Sequence, residues 1–116
     1  MYSDPSQLIE LLSSLPAKIR DAETAYLKKA EELETAELTF DVAFGNALVA
    51  STAPNATEKK AEATIATEKE SLELIGKKYE AKRAETEWKY LTDKFVALRK
   101  VASLEQEMLR TQLSGE

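Results

Sequence analysis

Basic side chains alternating with aromatic rings are the residues of this chain best suited to binding chemistry. Between Lys77 and Lys100, eight basic residues stand against four acidic ones, and Tyr79, Trp88 and Tyr90 lie among them. Cations beside stackable rings are what single-stranded nucleic acid binding requires. The candidate DNA contacts are Lys77, Lys78, Lys82, Arg83, Lys89, Lys94, Arg99 and Lys100.

The same segment also fits a solvated helix surface, which is the more frequent role of a charge run. Glu80, Glu85 and Glu87 can serve as i,i+4 partners for the neighbouring cations. The formal net charge of −5 lies wholly in the part up to Asn55, and the remainder is neutral. An acidic total opposes non-specific adhesion to nucleic acid, so DNA contact and a solvated surface stay open as alternatives.

The chain contains few residues that suit catalysis or metal binding. The chain has no His and no Cys, which excludes an imidazole base, a thiolate nucleophile and a zinc–thiolate site. Glu31, Glu32, Glu34 and Glu37 spread around the outside of a predicted helix, whereas metal sites on helices use inward-facing carboxylates supported by His. We expect no enzyme activity, no cofactor and no metal ion.

Sparse turn signals indicate long helices. The chain has 116 residues with three Gly and three Pro, while Ala, Glu, Lys, Leu and Thr fill long uninterrupted stretches. Charged residues make up 32% and hydrophobic ones 43%, a balance typical of solvated helices with an apolar seam. One all-α domain over residues 1–116 is predicted.

Asp4 and Pro5 predict the start of the first helix, because Asp accepts hydrogen bonds from orphan amides and Pro suits the first helical position. A short helix is expected over about 5–15. Pro16 removes a backbone hydrogen bond and crowds the preceding turn, so a kink or break should occur there. The next helix should run over about 17–50.

Small polar residues cluster with a Pro at residues 51–57 and predict the turn. Asn55 stands three residues before Glu58, the spacing of a helix cap and its capping-box partner. The last helix is expected over about 56–113, with Gly115 just beyond as a stop signal.

Apolar and small residues recur in steps of three and four along both long helices, which is the pattern of a helical seam. On the earlier helix they are Ile19, Ala22, Tyr26, Ala30, Leu33, Ala36, Phe40, Phe44 and Ala47. On the later helix the predicted seam is thin at first, with Ala61, Ile65, Leu72, Ile75 and Tyr79, and broadens after Trp88. The fold expected is a long antiparallel, coiled-coil-like hairpin.

The broad end of this hairpin carries more apolar surface than one partner helix covers. Either the segment before Pro16 folds back onto it as a third helix, or it joins another subunit, and we favour a homo-oligomer. The candidate interface residues are Leu8, Leu11, Leu12, Leu15, Trp88, Leu91, Phe95, Leu98, Val101, Ala102, Met108 and Leu109.

The first residues lack the basic and apolar regions of a signal peptide. No apolar run approaches the roughly 20 residues that a membrane span needs. A cytoplasmic protein without membrane contact and without a small-molecule substrate is expected.

The run Lys-Lys-Tyr-Glu-Ala-Lys-Arg-Ala-Glu from Lys77, followed by Phe-Val-Ala-Leu-Arg-Lys from Phe95, resembles small helical-hairpin proteins that tailed bacteriophages encode near recombination genes. Some of those proteins are described as recombination mediators. The resemblance implies an oligomer in the cytoplasm of a bacterial host that binds single-stranded DNA and a recombinase or annealing protein. The alternative is a protein interaction module, namely a scaffold, adaptor or inhibitor of a host protein, that does not bind DNA.

Overall fold

Three α-helices make up most of the described chain. The computed structural model describes residues 5–114, in which α1 spans Pro5–Ala50, α2 spans Ala56–Ala66 and α3 spans Glu68–Ser114. No strand occurs between residues 5 and 114, so the predicted all-α class is confirmed. The expected cap at Asp4 and stop signal at Gly115 lie outside the described residues.

Pro16 lies inside α1. Of the expected kink or break, the break is therefore wrong and the kink stays a prediction. A proline inside a helix costs about 3 kcal/mol because it removes one backbone hydrogen bond and crowds the preceding turn. Leu8 and Leu15, which precede Pro16, and Ile19, which follows it, all belong to one apolar cluster. Packing on both sides of the proline therefore holds a single helix through it.

The segment between α1 and α2 is stabilised at both ends by hydrogen bonds. The Ser51 N–H donates to the Ala47 carbonyl at 3.1 Å, and the Ser51 hydroxyl bonds the Glu62 carboxylate at 2.5 Å. At the start of α2, the Asn55 side chain accepts from the Glu58 N–H at 2.9 Å. The predicted cap at Asn55 is confirmed, since it satisfies an amide that has no partner within the helix.

A single helix over 56–113 was expected, but the structure divides it at Thr67. The Thr67 hydroxyl donates to the Ala63 carbonyl at 2.7 Å, and its N–H bonds the same oxygen at 3.0 Å. The Thr67 backbone, with φ −108° and ψ 20°, departs from regular helical values. The interruption lasts one residue, because the Thr67 carbonyl already accepts from the Ser71 N–H at 2.9 Å.

The chain forms two compact units, and the long helices contribute to both. The first unit comprises residues 5–24 and 85–114, and the second comprises residues 25–84. The core of the first unit is made of leucines. Leu8, Leu15 and Leu98 are buried together. Packed against them are Leu11, Leu12, Ile19, Leu91, Phe95, Val101 and Ala102.

The second unit has a core of small residues. Ala63, Ala81 and Thr67 are buried, together with Ala53 in the turn. On α1, the expected stripe residues Tyr26 to Ala47 are half-buried, as are Ile19 and Ala22 in the first unit. The predicted seam of α1 is confirmed.

Replacing Leu15 with Ala should lower the free energy of unfolding by about 2–5 kcal/mol, because a fully buried leucine leaves a cavity. Leu15 is only 2% exposed, whereas Ile9 on the same helix is 63% exposed. Chemical denaturation followed by circular dichroism measures both. The matched control Ile9→Ala should change stability by no more than about 0.5 kcal/mol, and equal losses from the two variants would contradict the assigned core.

Candidate functional site and interaction surfaces

Burial along α2 and α3 in the second unit follows a seven-residue repeat. One row of covered positions is Ala63, Glu70, Lys77 and Ala84, and the other is Thr67, Leu74 and Ala81. Alternating steps of four and three residues are the spacing of a coiled-coil seam. This seam therefore includes two charged residues and several small ones.

The seam predicted for this part of the chain is wrong, because its residues lie on the opposite side of the helices. Ile65 is 75% exposed, Leu72 62%, Ile75 59% and Tyr79 67%, and Ala61 is exposed as well. We call Ile65, Leu72, Ile75 and Tyr79 the outer stripe. Apolar residues at helical spacing mark a face but do not say which face packs, and here the alanine-rich face packs.

Charged residues enter the seam because they form a closed ring of ion pairs. Lys29 Nζ lies 3.3 Å from Glu32 Oε2 and 3.7 Å from Glu80 Oε1. Lys77 Nζ lies 3.8 Å from Glu32 Oε1 and 3.4 Å from Glu80 Oε2. Each cation contacts one carboxylate of its own helix and one of the other, so α1 and α3 are joined by two contacts that cross between them.

The ring shifts the titration of two of its members. Hydrogen bonding to the Lys29 ammonium lowers the pKa of Glu32. Burial opposes this as the second-largest effect, and the charges of Lys29, Lys77 and Lys28 add further lowering. The charge of Glu32 and the hydrogen bond to Glu80 raise the pKa of Lys77. The Glu32 contribution to stability is therefore lost as pH falls through its lowered pKa, and the Lys77 contribution is lost as pH rises through its raised pKa.

A groove of about 210 Å³ lies beside the ring. It is lined by Glu32, Thr35, Ala36, Thr39, Glu70, Glu73 and Lys77. One carboxylate oxygen of Glu70 is shielded from solvent and has no hydrogen-bond partner. Within residues 5–114, no three carboxylates are placed to hold a metal ion together.

The candidate DNA contacts of the second unit separate into two environments. Lys77 belongs to the ion-pair ring and faces the seam, so it does not share a surface with the others. Lys78, Lys82 and Arg83 are exposed. Lys78 and Lys82, four residues apart, extend from the same side of α3, whereas Arg83 follows Lys82 directly and extends from another side. The sequence analysis did not predict that Lys29, Glu32 and Glu80 form an ion-pair ring with Lys77. The sequence pattern that could have indicated it is a pair of opposite charges three residues apart on each helix.

The candidate DNA contacts of the first unit lie next to aromatic rings and carboxylates. Lys94 Nζ lies 6.0 Å from the centre of the Tyr90 ring, and the Arg99 guanidinium lies 5.9 Å from that of Phe95. Lys89 Nζ bonds Glu85 Oε1 at 2.9 Å. Arg99 and Lys100 are exposed, and with Val96 and Ser103 they line a shallow surface groove.

Most candidate oligomer residues instead form the core of the first unit. Leu8, Leu15 and Leu98 are buried within the chain, and Leu11, Leu12, Leu91, Phe95, Val101 and Ala102 pack against them. Trp88 is half-buried. Their packing within the chain accounts for most of this apolar surface, and contact of these residues with another subunit stays a prediction. Met108 and Leu109 are exposed.

Within residues 5–114, no helix has the length and apolar content needed to cross a membrane. Comparison with models of protein families, with curated proteins and with solved structures gave no match. The resemblance to phage recombination mediators therefore stays a prediction.

Replacing Glu32 with Gln should lower the melting temperature at about pH 7, because two lysines of the seam lose a shared carboxylate. The difference from the unmodified chain should shrink at acidic pH, once the pH has fallen through the lowered pKa of Glu32 and the carboxyl is protonated in the folded chain as in the unfolded one. Thermal unfolding at the two pH values measures this difference.

Glu34→Gln is the matched control, since Glu34 is an exposed carboxylate on the same helix. It should leave the melting temperature nearly unchanged at both pH values. A loss from Glu32→Gln that stays the same at both pH values would contradict a role for the carboxylate charge.

Proposed function

We propose that this chain is a non-enzymatic accessory protein, an antiparallel helical hairpin that self-associates and presents helix surfaces to other proteins. Two contacts of the second unit support the antiparallel direction. Lys29 pairs with Glu80, whereas Glu32, further along α1, pairs with Lys77, which precedes Glu80 on α3. Residue numbers thus rise on one helix as they fall on the other.

The exposed apolar side chains of the second unit are the observation that carries the proposal. Its seam is already filled, yet Leu38, Val42 and Val49 on α1 are exposed, and so are the four residues of the outer stripe. Contiguous apolar surface on a soluble chain marks a protein interaction site more often than chance exposure does. Surfaces on the outside of two helices suit a scaffold or adaptor that binds other helices.

Self-association is the part of this proposal that can be measured without knowing a partner. Sedimentation equilibrium over about 1–100 μM should show a mass above 12.9 kDa that rises with concentration. A mass that stays at 12.9 kDa over the whole range would contradict the oligomeric proposal.

The second candidate function is that of a phage-type mediator in a bacterial cytoplasm, which binds single-stranded DNA and a recombinase or annealing protein. The observation that favours it is the pairing of cations with rings in the first unit, Lys94 with Tyr90 and Arg99 with Phe95. Tyr90 is 57% exposed, so a base can reach its ring. Stacking on an aromatic ring with cations nearby is how single strands are held without sequence preference.

If this surface binds DNA, replacing Lys94, Arg99 and Lys100 with Gln should weaken binding to fluorescent single-stranded DNA. Removing one cation from a phosphate reduces the slope of log K against log salt by about 0.7 for single strands, so the slope should fall by about 2. Fluorescence anisotropy at several salt concentrations measures both the affinity and the slope.

The control removes the same charge elsewhere, by replacing Lys59, Lys60 and Lys69 with Gln. It should retain the slope of the unmodified chain. Equal weakening by both triple variants would show that only the total charge matters, and absence of binding even at low salt would reject the DNA function while leaving the adaptor function in place.

A further inference from the structure

The outer stripe is an apolar surface on the side of α2 and α3 that faces away from the seam. Ile65, Leu72 and Tyr79 follow one another at seven-residue intervals, and Ile75 lies between the last two. All four side chains are more than half exposed. At 1.5 Å per residue the stripe is about 21 Å long, or roughly four helical turns.

Charges beside the outer stripe change sign along its length. Glu62 and Glu68 flank its first half, and Lys78 and Arg83 flank its second half, all of them exposed. Lys69 interrupts the acidic half, and Glu73 and Glu80, which are exposed as well, interrupt the basic half. A surface with an acidic end and a basic end is complementary to a copy of itself that runs in the opposite direction, and repels a copy that runs in the same direction.

The exposed apolar residues of α1 do not have this property. Leu38 and Val42 are flanked by Glu34, Glu37 and Asp41, all exposed. Two copies of that surface would place acidic groups opposite acidic groups in either direction. Self-pairing is therefore favoured on the outer stripe and opposed on α1.

We propose that a second copy of this chain docks antiparallel on the outer stripe, around a two-fold axis near Leu72. In this arrangement Leu72 faces the same residue of the second copy, and Ile65 faces Tyr79. Two pairs of flanking charges then have opposite signs, each formed twice by the symmetry, with Glu68 near Lys78 and Glu62 near Arg83. The proposal rests on the oligomeric part of the proposed function and is independent of DNA binding.

Four side chains on one helix cover less than the roughly 800 Å² per partner of a standard protein interface. We therefore expect a dimer whose dissociation constant is on the order of micromolar, within reach of sedimentation and sensitive to single substitutions. Flanking charges also make its formation weaker at high salt.

The first test replaces Leu72 with Lys. Because the symmetry axis passes near this residue, the variant places two like charges face to face, and the dimer dissociation constant should rise at least tenfold in sedimentation. Val49→Lys is the matched control on α1, at an exposed apolar position outside the stripe. Circular dichroism should show both variants as helical as the unmodified chain, since both sites are exposed.

A second test uses cysteine cross-linking, which the absence of native Cys makes unambiguous. Leu72→Cys alone should form a disulfide-linked dimer under mild oxidation. Ile65→Cys alone should not, but mixed with Tyr79→Cys it should form a heterodimer. Efficient linkage of Ile65→Cys to itself would overturn the antiparallel direction, because only parallel copies place these positions together.

A third test reverses the charges that specify direction. Glu68→Lys should weaken the dimer, and adding Lys78→Glu in the same chain should restore it, since each pair then keeps opposite signs. A dimer that is insensitive to Leu72→Lys would overturn this surface and leave the oligomeric proposal standing. A monomer at every concentration would overturn both.

Discussion

The balance of charge inside the seam is the constraint on which the second unit depends. Lys29, Glu32, Lys77 and Glu80 stand where an ordinary coiled coil places apolar residues or its flanking charges, and each has two partners of opposite sign. Partly buried charge is costly unless it is paired. Alanine surfaces alone permit sliding, whereas a shift of one turn would break both contacts between the helices. The ring therefore forms in this register and not in one shifted by a helical turn.

The two units obtain their cohesion from different side chains. In the first unit, leucines such as Leu8, Leu15 and Leu98 exclude water from a conventional apolar core, and Pro16 is tolerated because residues on both sides of it pack. In the second unit, small residues of α2 and α3 and paired charges pack against the half-buried stripe of α1, and the large side chains of the outer stripe remain exposed. Exposed large apolar side chains occur in both units, with Met108 and Leu109 in the first and the outer stripe in the second.

The sequence was sufficient for the helices, the cap at Asn55 and the seam of α1, because strong periodicity and local hydrogen bonding determine them. It was misleading for α2 and α3, where Ile65, Leu72 and Tyr79 make a more apolar pattern than the true seam. Choosing between the two stripes requires knowing the partner helix. Ala63 packs well only against large side chains of α1, and Lys77 packs well only where α1 places carboxylates beside it. Pro16 does not break the helix for a similar reason. The free-energy cost of a proline inside a helix is smaller than the stabilisation by the side chains that pack around it.

Ala63 is completely inaccessible to solvent. The size of the side chain at this position is therefore tightly limited, although an alanine in an alanine-rich helix draws little attention. Any larger side chain there must displace its neighbours, which close-packed interiors resist. Ile65, two positions later, is 75% exposed, so replacements there should leave the fold undisturbed. Among related chains, a small residue at position 63 would thus be retained for folding, while retention of an apolar residue at position 65 would report selection for association.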